Sequence, residues 1–236
     1  MAAKKRPFYI VEQDKDIFVV DKPAGLLAVP IPDSNVKNLY DLVADHLGKH
    51  GVRVGCVHRI DRYTSGLMVF AKNKRAYDDL YEKFRNHDPK RTYLAIVRGI
   101  VEKDEGTLEH HLKLIKDGFR NIVVDPDEDG ATPARLSYKV KERFFDNTLV
   151  EVQLDTGLKN QIRVQFEEIG HQLVGDQHYA PEEKQEPLID RQALHAYRLS
   201  FKHPRKRKTV KCEAKIPADM LRLIDRFRWN KEKHSG

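Results

Sequence analysis

The chain has 236 residues, with 43 Lys and Arg against 36 Asp and Glu, a formal charge of +7 and a pI near 9.2. That length can bury a substantial core, a composition of 40% apolar and 33% charged residues describes a rather polar globular protein, and the basic balance points to a polyanionic partner, most simply nucleic acid. Cys56 and Cys212 form no CxxC pair, which argues against a disulfide scaffold or zinc knuckle and suits a reducing cytoplasm; with no secretory h-region and no apolar run of membrane-spanning length, the chain reads as soluble and intracellular.

Behind a basic lead (Lys4, Lys5, Arg6), residues 8–11 and 17–20 read as strands around an Asp14-Lys15-Asp16 turn. Asp21-Lys22-Pro23-Ala24-Gly25-Leu26-Leu27 breaks the second strand, since Pro and Gly so close together force a turn. Leu39, Leu42, Val43 and Leu47 fall at helical spacing after Asn38, a plausible N-cap. Residues 52–57 and 67–70 are short apolar runs and read as buried strands. A helix over 74–86 carries Ala76, Tyr77, Leu80, Tyr81 and Phe84 on one face, and Pro89 closes it. Residues 91–100 read as a central strand, apolar on both faces.

Residues 107–115 and 121–124 suggest a hairpin around Asp117-Gly118, followed by an acidic surface loop over 125–130. Alternation at Leu136, Tyr138, Val140 and at Val150, Val152, Leu154 gives two strands joined at Asp146-Asn147. Ile162, Phe166 and Ile169 then mark a helix with Gly170 as its stop. Arg163 lies about 100° around from Ile162, at the margin of the buried face. A charged loop over 181–190, a strand over 194–204, the basic turn Arg205-Lys206-Arg207-Lys208 and a strand over 210–216 follow. Residues 218–229 form a last helix burying Met220, Leu221, Ile224 and Phe227. No repeat or linker divides the chain, so one domain over 1–236 is expected.

The chemistry concentrates in His58-Arg59-Ile60-Asp61-Arg62-Tyr63-Thr64-Ser65-Gly66-Leu67, a polar knot between two apolar runs. Loops pinned at the edge of a core are where chemistry usually sits. A positioned carboxylate among cations (Arg59, Arg62 and, further off, Lys72) is a nucleophile, a general base or half of a salt bridge. On the residues alone, the salt bridge is the favoured reading. Likewise Tyr93 alone reads as a core tyrosine and Arg163 alone as a solvated cation.

This string resembles the signature of the RluA-type pseudouridine synthases, which act on ribosomal and transfer RNA. The likeness extends to Lys22-Pro23-Ala24-Gly25, to the Arg91-Thr92-Tyr93-Leu94-Ala95 phrase, to Gln161-Ile162-Arg163, and to Gly170-His171 with Gly175-Asp176 and Tyr179. It implies an α+β fold, a mixed, largely antiparallel sheet flanked by helices with a central RNA-binding cleft. It implies Asp61 as nucleophile on a flipped uridine, Tyr93 stacking on the base and Arg163 pairing with Asp61. Arg59, Arg62 and Lys72 are the expected RNA contacts, and Arg59 could occupy the place the base vacates or hold the phosphate. No metal, nucleotide or redox cofactor is needed.

The expected partner is RNA, ribosomal RNA of the large subunit first and transfer RNA second, with the protein a monomer. Two departures stand out: Leu158 where the family usually has Arg, and Asn160 where it has His. They put RNA phosphate contacts near this helix start in doubt. An S4-type RNA-binding domain has no room before the match, so recognition is expected from the catalytic domain. The rival reading on the same fold is a catalytically inactive RNA-binding or ribosome-assembly protein, which would not need Asp61. A metal-dependent hydrolase is disfavoured because His110, His111, His171, His178, His195 and His203 show no recognised ligand spacing.

Overall fold

A computed structural model describes residues 7–48, 51–115, 120–179, 186 and 188–234. In chain order the elements are β1 (Tyr9–Gln13), β2 (Ile17–Lys22), α1 (Leu39–Gly48), β3 (Gly55–Cys56), β4 (Ser65–Ala71), α2 (Lys74–Arg85), β5 (Lys90–Arg98) and β6 (Glu105–Leu114). There follow β7 (Asn121–Val124), β8 (Thr132–Arg143), β9 (Asn147–Leu154), α3 (Gln161–Glu168), β10 (Leu194–Lys202), β11 (Thr209–Glu213) and α4 (Ala218–His234). The chain groups into two compact units, Met1–Arg91 with Ala196–Lys215 and Thr92–His195 with Ile216–Gly236.

In the first unit the strand order is β1-β2-β4-β10, with β11 on β10 and β3 on β4. β2 and β4 pair antiparallel from Ile17↔Ala71 to Lys22↔Gly66. Every residue of β4 is buried, because the sheet carries a helix on each face. On one side Ile17, Val19, Leu67 and Val69 pack with Ala76, Leu80 and Phe84 of α2. On the other, Phe18 meets Phe8 edge-on at 6.3 Å and His46 of α1 at 5.7 Å. Burying Leu80 and Phe84 stabilises the α2 contact by about 1.5–3 kcal/mol each. Both helices start on asparagine caps: Asn38 Oδ1 accepts from the Asp41 amide at 2.9 Å, and Asn73 Oδ1 from the Ala76 amide at 2.9 Å.

Two expectations need correction here. The strand over 52–57 is only Gly55–Cys56. The Val54 carbonyl accepts from the Tyr40 hydroxyl at 3.3 Å, and a Cβ on Gly55 would stand 2.4 Å from the Tyr77 ring. Tyr81 is 45% exposed rather than in the core; it stacks on Tyr77 at 5.6 Å along the helix flank.

In the second unit the order is β5-β9-β8-β6-β7. β6, β8 and β9 form long antiparallel ladders, with a bulge between Val140 and Glu142. The expected β6–β7 hairpin is present, although its Asp117-Gly118 turn lies outside the described residues, as does most of the 181–190 loop. The 125–130 loop is exposed throughout, with Lys113 paired to Glu128 at 2.8 Å.

α3 ends in a Schellman motif: the His171 amide donates to Phe166 O at 2.8 Å and the Gly170 amide to Glu167 O at 2.9 Å, with Gly170 at φ +79°. α4 runs to His234, past the expected 229, because nothing between Asn230 and His234 breaks a helix. Its apolar stripe is Met220, Leu223, Ile224 and Phe227, while Leu221 is 44% exposed. Phe227 packs on Phe144 at 5.6 Å. No helix among the described residues is long and apolar enough to cross a membrane.

Candidate active site

The segment before β4 carries Asp61 and is fixed from within the first unit. Val57 and Ile60 are buried anchors, and the Thr64 amide donates to Asp61 O at 3.2 Å, closing a tight turn. Asp61 is half-buried, while Arg59 and Arg62 are exposed. His58 Nε2 accepts from the Val69 amide at 3.0 Å, so the proton of the neutral ring lies on Nδ1. The ring stacks on Phe84 at 4.3 Å. Burial, helped by the Arg91 charge, pushes its pKa down to about 3, so His58 is a neutral strut at physiological pH. Cys56 donates from Sγ to His58 O at 3.1 Å. Burial pushes this thiol up to about 11, which leaves no thiolate to compete as nucleophile.

The other fixing point is the Lys22-Pro23-Ala24-Gly25 turn. Lys22 is fully buried, and its Nζ donates to the carbonyls of Pro23 at 3.0 Å, Leu26 at 2.7 Å and Arg62 at 2.9 Å. Arg62 O also accepts from the Gly25 amide at 2.9 Å, and Arg62 Nε donates back to Gly25 O at 2.9 Å. Gly25 sits at φ +83°, a conformation that glycine adopts without strain. The guanidinium of Arg62 also lies 5.3 Å from the Tyr63 ring centre. After the turn, Gly66 brings β4 against β10: a Cβ there would stand 2.3 Å from Ala196 O.

In the second unit Tyr93 is a buried residue of β5, 7% exposed. Arg163, in the first turn of α3, is also buried. Its Nε and Nη2 bind Asp176 bidentately at 2.6 and 2.8 Å, and Nη1 donates to Asn160 Oδ1 at 3.1 Å. The Tyr179 ring lies 4.9 Å from the guanidinium carbon. Asp176 Oδ1 also accepts from the amides of His178 at 3.0 Å and Tyr179 at 3.2 Å. Such a cage fixes the guanidinium plane.

The two departures have structural places. Asn160 is at φ +56° before α3, a left-handed position that asparagine tolerates well. Leu158 packs against the apolar cluster of Leu112, Ala134 and Val164; the position where the family usually has Arg is here part of the packing. Nearby, Gln161 Oε1 accepts from the Leu158 amide at 3.0 Å and the Thr156 hydroxyl at 2.9 Å. This holds the entry to α3.

Lys72 stands at the other end of β4 from the Asp61 turn, and its Nζ donates to Asp14 O at 2.5 Å. Beside it, Asp14, Asp16 and His203 are the one grouping among the described residues with metal-ligand geometry. It does not fit a cation. His203 Nδ1 accepts from the amides of Arg205 at 3.0 Å and Lys206 at 2.9 Å, so Nε2 carries the proton and donates to Asp14 Oδ2 at 2.8 Å. The carboxylates are met by Arg205 and Lys206. Burial raises both acids, but hydrogen bonds, Lys206 foremost at Asp14 and Arg205 at Asp16, outweigh it and hold them below the usual carboxylate range.

Residues 16–168 match the family described as RNA pseudouridylate synthase, and the chain belongs to that family. It is 39% identical over 226 residues to the Bacillus subtilis "Uncharacterized RNA pseudouridine synthase YlyB", covering 94% of this chain and 73% of the relative. It is 37% identical over 230 residues to the Neisseria meningitidis "Ribosomal large subunit pseudouridine synthase D", covering 93% of this chain and 61% of that one. The chain thus spans less than two thirds of the latter. Among solved structures, human RNA Pseudouridylate Synthase Domain Containing 4 superposes with TM-score 0.76 at 23% identity, over 93% of both chains. The fold is that of the pseudouridine synthases.

Lys22, His58 and Asp176 are the site residues to which the sequence reading gave no role. Each stood inside a phrase of the resemblance, but a phrase marks membership and not the contact a residue makes.

Proposed function

We propose that the protein isomerises a uridine of large-subunit ribosomal RNA to pseudouridine, with Asp61 as nucleophile. The observation that carries this is the double fixing of the Asp61 turn, by the Lys22 ammonium and Gly25 amide on Arg62 O and by His58 on β4. A carboxylate held in place is what covalent catalysis by displacement requires. Two relatives, from Neisseria meningitidis and Nitrosomonas europaea, carry the name ribosomal large subunit pseudouridine synthase D, which supports ribosomal over transfer RNA.

The target base leaves its stack at a cost of roughly a few kcal/mol. Arg59 and Arg62 hold the RNA, Tyr93 receives the uracil ring, and Arg163 aims the carboxylate. An Asp61 oxygen attacks the ribose at C1′ or the base at C6, and the bond between N1 and C1′ breaks. The uracil turns, C5 bonds to C1′, the C5 proton leaves to solvent, N1 gains a proton, and Asp61 is regenerated. Substrate and product are isomers, so no co-reactant enters. The chain acts as a single catalytic domain, as a monomer in the cytoplasm.

The test is tritium release from RNA labelled at uridine C5, on ribosomal and transfer RNA, for wild type and Asp61→Asn. Release by wild type from ribosomal RNA and none by the variant is expected. Release from transfer RNA alone would overturn the substrate. Equal release by both proteins would remove Asp61 as nucleophile, and none by either protein would remove the activity.

A further inference from the structure

At the end of β2 and β4 remote from Asp61, three segments are tied together by two carboxylates. Asp14 accepts from Lys206 Nζ at 2.5 Å and from His203 Nε2 at 2.8 Å. Asp16 Oδ1 accepts from Arg205 and, at 3.0 Å, from Asn73 at the start of α2. The amides of Arg205 and Lys206 donate to His203 Nδ1. Arg205 and Lys206 are thereby neutralised, and the β10–β11 turn is held in one shape.

What the framework displays is positive. Arg207 and Lys208 follow in the same turn, Lys15 lies between the two aspartates, and Arg75 is in the first turn of α2. All four are exposed, and none has an ionic partner among the described residues. Exposed cations on a rigid support suit a repeating anion, because the support's ordering is already paid for by its own ion pairs. β4 spans seven residues, roughly 20 Å at about 3.3 Å per residue. The patch is therefore several nucleotides from the Asp61 turn along an RNA.

We infer that this basic end of the first unit, centred on Arg207 and Lys208, binds the phosphodiester backbone of RNA flanking the target, an inference that rests on the reading of an RNA substrate. It assigns to the β10–β11 turn an anchoring role that requires no base contacts. Lys72, one of the three cations expected to touch RNA, belongs to this end of the sheet. Its ammonium is bound to Asp14, and the outward neighbours take the contact.

The test compares wild type with the double variant Arg207→Ala/Lys208→Ala in filter binding to a large-subunit ribosomal RNA transcript between 50 and 200 mM KCl. Losing two phosphate contacts flattens the slope of log K against log salt by about 1.4–1.8, so the wild type loses roughly tenfold more affinity over that range than the variant. Melting temperature and kcat for tritium release at saturating RNA are expected to stay at wild-type values. Arg207→Lys with Lys208→Arg, which keeps both charges, restores the slope. An unchanged slope in the alanine variant would overturn the inference, as would loss of binding to phosphatidylserine vesicles with RNA affinity intact. If wild type binds the transcript but releases no tritium, the isomerase reading fails while the slope still decides the surface.

Discussion

Replacing Asp176 by Asn keeps the side chain's size and removes its charge. The Arg163–Asp176 pair is nearly inaccessible, with side-chain exposures of 6% and 0%, so solvent cannot replace the charge that Asp176 supplies. Breaking a buried pair of this kind destabilises by about 3–5 kcal/mol. Asn can still accept the amides of His178 and Tyr179, which favours the lower end. At about 2–4 °C per kcal/mol for a chain of this length, melting should fall by roughly 6–12 °C.

Arg163 would also lose its fixed plane. In the tritium-release assay kcat should drop at least about tenfold, the equivalent of 1.4 kcal/mol in the barrier, with KM little changed. The companion variant Arg163→Met/Asp176→Leu removes both charges, and an apolar replacement of a buried pair is often neutral for stability. It should melt within a few degrees of wild type yet be inactive. A single variant melting within about 2 °C of wild type would refute the reasoning, because the pair would then be solvated in a way its burial forbids.

Lys22→Met should lower both stability and kcat: the carbonyls of Pro23 and Leu26 lose their buried donor, at about 1–3 kcal/mol each, and urea unfolding measures the sum. His58 has a folded pKa of about 3 against 6.5 for the free group, so the stability it confers is complete above pH 6.5 and is lost as pH falls toward 3. The loss is up to about 1.4 kcal/mol per pH unit. Asp21, which burial raises to about 6 against the pull of Lys22, opposes this below pH 6. The reading is therefore the difference between wild type and His58→Gln in denaturation midpoints from pH 7 to 4, where only the wild type carries the histidine contribution. Gly66→Ala should cost about 3 kcal/mol or more, combining a strained φ of +115° with a clash against β10 backbone; circular-dichroism melting checks it.

The parts of this molecule legible in sequence are those that depend on neighbours in the chain. The buried run of β4, the α2 stripe of Ala76, Leu80 and Phe84, the Asn38 cap and the Gly170 stop follow from local period and turn chemistry. What escaped depends on distant residues. The strand at 52–57 shortens because Tyr40 and Tyr77 occupy its flank, and Leu158 turns inward to a cluster on β6, β8 and α3. Asp176 gives no sign in the sequence that it grips Arg163. Lys22 is the extreme case: residue type predicts a solvated ammonium, and only its three carbonyls, one of them 40 residues away, explain its burial.

The reciprocal bonds between Gly25 and Arg62, with Lys22 across both, mean that two phrases far apart in the sequence fold as one cassette. A chimaera that grafted the segment around Asp61 into a host lacking the Lys22-Pro23-Ala24-Gly25 turn would carry the carboxylate without its mount. Transplantation, circular permutation or library design should therefore treat both stretches as a single heritable part. A sequence retaining the second phrase after losing the first would keep the appearance of the active site without its mechanics.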